Sequence, residues 1–331
     1  MCPNLGQSAS PTRLSSLLLE RDQAAKVFPL AVWSPSSNQP PTLAKHAFRI
    51  PFCVNHDARQ RDGPKKLLKF LILPLAFLCW FPLFAQDARS LVQTTVNAEI
   101  AADKSDQSRW IFYEVDKKPK NTVEQWVAQT SRGSVKRVLK KNGYPIAKPL
   151  QRQAVEALIR DTDAQHQQQE NDRKDDKEAE ALLRMLPDAF LWSVKEKNDI
   201  TTTFHFRPNP DFDPPSHQAS VFAAMEGDLT VNNQQHRIEK LKGTMVRDVS
   251  FGWGILGSLK KGGWFEVARE QIAPGLWQIN ETHVHIQGRA LLFKSISEQE
   301  DDTKSRFTRL PDNVTLQQAA EAVMKQPNAP E

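Results

Sequence analysis

From Pro187 onward the chain alternates apolar and polar side chains between short runs of turn residues, and a period of two admits few folds. Candidate strands are Ala189–Lys195, Thr201–Arg207, Ser220–Asn232, His236–Arg247, Gly263–Ile272, Gly275–Gln287 and Arg289–Ile296. Asn232-Asn233, Gly262-Gly263, Pro274-Gly275 and Gly288 mark turns between them. Consecutive strands joined by tight turns form an antiparallel meander, because parallel strands need long crossovers. Val284 and Ile286 point to one face, while His283, His285 and Gln287 point to the other. In the preceding strand Phe265 and Val267 are set against Glu266 and Arg269. Such a sheet has one apolar and one wet face.

Upstream, Leu91, Val92, Thr95, Val96 and Ile100 recur at helical spacing. Trp110–Val115, Thr122–Thr130 and Ser134–Leu139 then alternate like strands, with turns at Ser131-Arg132-Gly133 and Asn142-Gly143. From Gln151 to Leu186 the character changes. Two helical stripes, Ala154, Val155, Leu158, Ile159 and Leu182, Leu183, Met185, Leu186, flank Asp161–Glu180, where almost nothing is apolar. That run reads as a solvated helix or helical hairpin inserted in the domain. The chain closes on a predicted helix over Thr315–Lys325, capped by Thr315 with Gln318 three residues on. The expected class is α+β: a curved antiparallel sheet, an incomplete barrel, with helices on its concave face. A partly covered apolar face leaves a cavity for an apolar ligand. Trp110, Phe112, Trp126, Phe204, Phe206 and Phe265 are its candidate lining, against the simpler reading that each is ordinary core.

The basic balance of the whole chain resides in its first quarter. Residues 1–85 hold ten Lys/Arg and four Asp/Glu, leaving 34 basic against 35 acidic residues beyond Ala85. A balance of −1 offers no global attraction to nucleic acid or an anionic membrane. Lys65-Lys66-Leu67-Leu68-Lys69 precedes a charge-free apolar run, Phe70–Phe84, that ends at Ala85 with Gln86 following. This is the pattern of a signal peptide over 65–85 cleaved between Ala85 and Gln86, for a periplasmic or otherwise exported protein; an uncleaved membrane anchor is the alternative. Residues 1–64, rich in Ser, Pro and Gln, read as disordered or as lying upstream of the true start. Cys2, Cys53 and Cys79 all precede Ala85, so the exported part has no disulfide, thiolate nucleophile or Cys metal ligand. Its 246 residues suffice for a core without such staples.

No nucleophile elbow, HExxH pair or phosphate-binding loop occurs after residue 85, and no enzyme activity, cofactor or metal is expected. Gly252-Trp253-Gly254-Ile255-Leu256-Gly257 spells the dinucleotide fingerprint, but that motif needs a helix after its last glycine. Here Ser258–Lys261 leads directly into Gly262-Gly263, so a glycine-permitted turn is the better reading. His283 and His285 have the i, i+2 spacing of two metal ligands on one strand, yet nothing nearby in sequence completes a site, and they read as surface histidines.

Met225-Glu226-Gly227-Asp228-Leu229-Thr230-Val231, Arg237-Ile238-Glu239-Lys240-Leu241-Lys242-Gly243 and Gly288-Arg289-Ala290-Leu291-Leu292-Phe293-Lys294 resemble strand-and-turn patterns of the periplasmic lipoprotein carrier superfamily, of LolA/LolB type, which sorts outer-membrane lipoproteins. The resemblance implies an incomplete β-barrel around helices, with an apolar cavity for acyl chains. It covers about a third of the exported part and carries no catalytic signature. The polar run at Asp161–Glu180 departs from it, and no position matches the carriers' lid-closing arginine. The expected organisation is a carrier-like domain over 86–311, with the polar helical insertion at about 151–186, followed by a C-terminal helix and tail over 312–331. The expected function is binding of a lipid or lipoprotein acyl chain in envelope biogenesis, with no nucleic-acid partner and only transient membrane contact. An envelope scaffold that binds a protein partner, through the Trp253 loop and the polar insertion, is the alternative; an unrecognised hydrolase with clustered carboxylates is the third.

Overall fold

The computed structural model describes residues 83–251, 257–290 and 294–328. The upstream segment 1–64, most of the expected signal peptide and the Trp253 loop lie outside these residues. The described elements are α1 (Leu83–Ser105), β1 (Arg109–Lys118), β2 (Asn121–Thr130), β3 (Gly133–Lys141), β4 (Tyr144–Pro145), α2 (Lys148–Arg160) and α3 (Thr162–Ala189). There follow β5 (Phe190–Lys197), β6 (Thr201–Pro208), α4 (His217–Phe222), β7 (Met225–Asn232), β8 (Arg237–Met245), β9 (Val249–Phe251) and β10 (Gly257–Leu259). The chain ends with β11 (Trp264–Ala273), β12 (Leu276–Ala290), β13 (Lys294–Leu310) and α5 (Leu316–Lys325).

The class is α+β, built on one large antiparallel sheet in the order β4-β3-β2-β1-β13-β12-β11-β8-β7-β6-β5, with β10 and β9 carried on the far end of β12. The outer strands β4 and β5 do not pair with each other, so the sheet is not closed into a barrel. Two meanders, β1–β4 and β5–β8, are local; the pairing of β1 with β13 joins residues nearly two hundred apart in sequence.

Three local expectations change. Residues 220–222, the expected start of a strand, belong to α4, because Ser216 caps that helix: its side chain accepts a hydrogen bond from the Ala219 N–H. Gly288 is not a turn but an interior position of β12. A Cβ there would come within 2.3 Å of the Ser258 carbonyl oxygen on β10, so glycine permits the close approach of that strand. The strand expected at Arg289–Ile296 is instead the end of β12 and the start of β13, which runs on through the polar residues 298–305 to Leu310. Backbone pairing to β12 and then to β1 holds this polar stretch extended.

Alternation sorts the side chains into two cores on opposite faces. On one face Trp192, Phe204, Phe206, Leu229, Leu241, Phe265, Val267, Val284 and Ile286 form an apolar cluster with Val92, Val96 and Ile100 of α1 and Leu182, Leu183 and Leu186 of α3. On the other face, at the β1–β3 end, Ile111, Tyr113, Trp126, Ala128, Val135 and Leu139 pack with Val155 of α2 and Ala319, Ala320 and Val323 of α5. The helices thus rest on the two ends, α1 on β5 and β8, α2 on β3, and α5 on β2 and β3. The polar insertion forms α2 and α3, and α3 touches β3 near one edge and β5 at the other. Its middle crosses between them, which explains its lack of apolar side chains. Gln165, buried near its start, donates to the carbonyls of Leu158 and Ile159 and so caps the end of α2.

Arg269 does not share the wet face with Glu266. It follows Phe265 and Val267 in parity, and its guanidinium Nη1 lies 2.7 Å from Glu99 of α1. Glu99 is fully buried and also holds Arg237 Nε at 3.0 Å and the Ile238 N–H. This ion triad ties the end of α1 to β8 and β11, while Arg89 near its start bonds the Pro187 carbonyl and the Asp188 carboxylate in the last turn of α3.

Candidate functional site

Between the two helix-covered ends, β1, β13 and β12 carry a different population of side chains. In register, Glu114 faces Lys304 and Asp116 faces Asp302 across β1 and β13, while Asp302 faces Thr282 across β13 and β12. Residues paired in this way share a face. Thr282 is in turn the partner of Val267 on β11, so this is the same face that carries the larger apolar core. The stripe therefore interrupts one continuous face with Glu114, Asp116 and Lys118 from β1 and Glu300, Asp302 and Lys304 from β13.

These charges are mostly withdrawn from water, with side-chain exposures between 10% and 20%. Lys118 Nζ sits 2.9 Å from Asp116 Oδ2 and 3.6 Å from Glu300 Oε1. Lys304 Nζ sits 3.1 Å from Asp302 Oδ2 and 3.9 Å from Glu114 Oε1, and lies over the Phe112 ring at 5.9 Å. Lys136 of β3 approaches Glu114 at 4.0 Å, and Gln125 of β2 donates to the same carboxylate.

Burial and crowding divide the carboxylates. Burial, joined by the charges of Glu300, Asp302 and Glu114, pushes Asp116 up to about 8. Burial likewise raises Asp302, to about 6, with Lys304 opposing it. Burial also disfavours ionised Glu114, but Lys136, Lys304 and Gln125 outweigh it and hold its pKa below the usual value. Burial lowers Lys118, whereas the carboxylates around Lys304 overcome burial and raise it. Groups whose environments drive their pKa values apart mark functional sites more often than chance. Several buried polar atoms here have no hydrogen-bond partner, among them Asp116 Oδ1, Asp302 Oδ1 and Thr282 Oγ1.

Further along the same strands Trp110 and Phe112 pack with Val127, Phe307 and the β11–β12 hairpin residues Ile272, Ala273 and Leu276. The six aromatics expected to share one cavity thus fall into three groups. Phe204, Phe206 and Phe265 lie in the large core under α1 and α3. Trp110 and Phe112 lie in the small cluster beside the charged stripe. Trp126 belongs to the core on the opposite face, where its indole N–H donates to the Pro327 carbonyl. All six are buried. A depression of about 380 Å³ lies on α2 among Lys148, Pro149, Arg152, Gln153 and Glu156, and none of the six lines it. Ala85 and Gln86, the expected cleavage pair, stand in the first turn of α1.

His283 and His285 sit on the opposite face, each bonded to Asp301 Oδ1, at 2.7 and 3.0 Å. The Trp264 ring stacks on His285 at 4.3 Å. Burial works against ionised Asp301, but the two imidazoles overcome it and lower its pKa. Among the described residues no group of three or more His, Cys, Asp or Glu side chains is arranged to hold a metal ion. No described helix is long and apolar enough to cross a membrane.

Sequence reasoning missed the charged stripe entirely. Its signal was present, since Glu114-x-Asp116-x-Lys118 and Glu300-x-Asp302-x-Lys304 each repeat with period two. Read alone, residues 298–305 look like a solvated loop; only pairing with β1 and β12 makes them a strand. Compared with known protein families, with curated proteins and with solved structures, the chain matches none.

Proposed function

We propose that the chain is a non-enzymatic carrier of an apolar ligand, a lipid or lipoprotein acyl chain, working after export in envelope biogenesis. One observation carries the reading: two helices, α1 and α3, cover a continuous aliphatic and aromatic face of a sheet whose edges do not meet. In this reading the sheet is an incomplete barrel with those helices on its concave side, and α3 spans the gap between its edges. An acyl chain gains about 0.8 kcal/mol for each CH₂ it buries, so such a face binds it without specific polar chemistry. Room for the chain comes from movement of α1, whose contacts with the sheet are held at one end by the Glu99 triad. The resemblance to lipoprotein carriers points the same way. Cleavage at Ala85–Gln86 leaves all but the first turn of α1 in place.

The test is native mass spectrometry of the protein purified from the periplasm, followed by organic extraction and uptake of a fluorescent fatty acid. A co-purifying lipid or acylated peptide, with uptake lost in Phe206→Glu and retained in the opposite-core variant Trp126→Phe, is the expected result. An apo mass together with no uptake by the folded wild type replaces this reading with the scaffold.

A further inference from the structure

Asp116, Asp302 and Thr282 stand in one line across β1, β13 and β12. As direct cross-strand partners they leave the same face, with neighbouring Cβ atoms roughly 4.5–5.5 Å apart. Each carboxylate gives its Oδ2 to a lysine, Asp116 to Lys118 and Asp302 to Lys304. The Oδ1 of each is shielded from water and accepts no hydrogen bond. Thr282 is 3% exposed, and its hydroxyl oxygen also lacks a partner. A buried acceptor without a donor is destabilising, so three in a line call for a donor.

The chemistry selects which donor. Two adjacent carboxylates repel an anion and attract a cation. Among the described residues no third His, Cys, Asp or Glu joins these two carboxylates in a metal-holding group. A primary ammonium has three N–H donors and a full charge, matching three acceptors. Its surroundings suit an apolar body: Val267 and Val284 lie on one side of Thr282, and Phe112 and Phe307 lie along β1 and β13 on the other.

We propose that Asp116, Asp302 and Thr282 form a site for a primary ammonium group carried on an apolar body, each oxygen accepting one N–H bond. The proposal rests on the carrier reading above and names the head group of its ligand. Lys118, the more exposed of the two lysines, swings outward to admit it. On entry the Asp116 carboxylic acid releases its proton to solvent, and the resulting carboxylate pairs with the ammonium. The charged groups facing it are Glu114, Lys118, Glu300, Lys304 and Lys136, and Thr282 of β12 is uncharged. Affinity therefore rises between about pH 6 and 8.

Binding of dodecylammonium, dodecyltrimethylammonium, dodecanol and butylammonium to the full protein, by calorimetry at both ends of that range, tests this. Dodecylammonium should bind about tenfold or more tighter than either dodecanol or the quaternary analogue, which keeps the charge but has no N–H. Asp116→Asn should erase that preference, and Thr282→Val should lower it several-fold. Extraction of phosphatidylethanolamine over phosphatidylcholine from vesicles would assign the ammonium to a lipid; a preference confined to dodecylammonium would assign it to a free amine. Equal binding of the three dodecyl compounds, or a preference surviving Asp116→Asn in a folded variant, overturns the ammonium site and spares the carrier. Failure of dodecanol to bind sinks the carrier reading, and saturable, Asp116-dependent binding of butylammonium would then still uphold the site. If neither binds, both are lost.

Discussion

At the β1–β3 end, α2 and α5 sit on the face that carries Trp126, Ala128 and Val135; at the β5–β8 end, α1 and α3 sit on the other face, over Phe204, Leu229 and Leu241. Each end buries one charged anchor that ties its helices to the sheet. Glu99 of α1 takes Arg237 and Arg269, whereas Arg137 of β3 reaches Gln151 of α2 and the carbonyls of Val323 and Gln326 at the end of α5. A sheet covered on opposite faces at its ends needs a stretch between where neither helix layer rests. The charged stripe of β1 and β13 occupies that stretch.

The comparison predicts that the ends can be loosened one at a time. Glu99→Ala leaves two buried guanidinium groups without their carboxylate and should destabilise the protein by about 3–5 kcal/mol in urea unfolding. Hydrogen exchange should then accelerate in α1 and spare α5. The mirror experiment, Arg137→Ala, strands the Val323 and Gln326 carbonyls and should cost about 2–3 kcal/mol. Exchange would rise in α5 and not in α1; loss of protection at both ends in either variant would show that the two cores unfold as one.

The stripe between them should show itself through pH. A carboxyl group whose folded pKa is raised binds its proton more tightly in the folded state. Its penalty is absent below the usual carboxylate range and grows as pH climbs towards its folded value. For Asp116 that window ends near 8, and Asp302 adds to its lower part, up to about 6. Asp116→Asn should flatten the fall of stability over the upper window and be the more stable protein at its alkaline end, on the order of 1–2 kcal/mol. An unchanged slope in chemical denaturation at stepped pH would deny that Asp116 is the group responsible. The smallest effect concerns one end only. Thr315 and Gln318 form a reciprocal cap at the start of α5, and Thr315→Ala should cost about 1 kcal/mol with α1 exchange unaltered.

The α+β class, the one-sided alternation of β6, β8 and β11, the α1 stripe and the Thr315 cap were legible because each depends on residues within a few positions of one another. The charge pattern of residues 298–305 was legible in spacing but not in meaning. Arg269 shows the same limit on a smaller scale: its charge groups it with Glu266, period two places it with Phe265 and Val267, and a guanidinium on that apolar face makes sense only once Glu99, 170 residues earlier, lies over it.

By itself, the sequence determined most of the segments that extend or coil, residues 220–222 and 298–305 apart, and which residues of those strands share a face, since those follow from backbone sterics and local periodicity. Tertiary structure decided which face each end of the sheet would bury, where the six aromatics would part company, and that Asp116, Asp302 and Thr282 would stand side by side. Pairing β1 with β13 brings together residues nearly two hundred positions apart, and no local pattern encodes the register in which they meet.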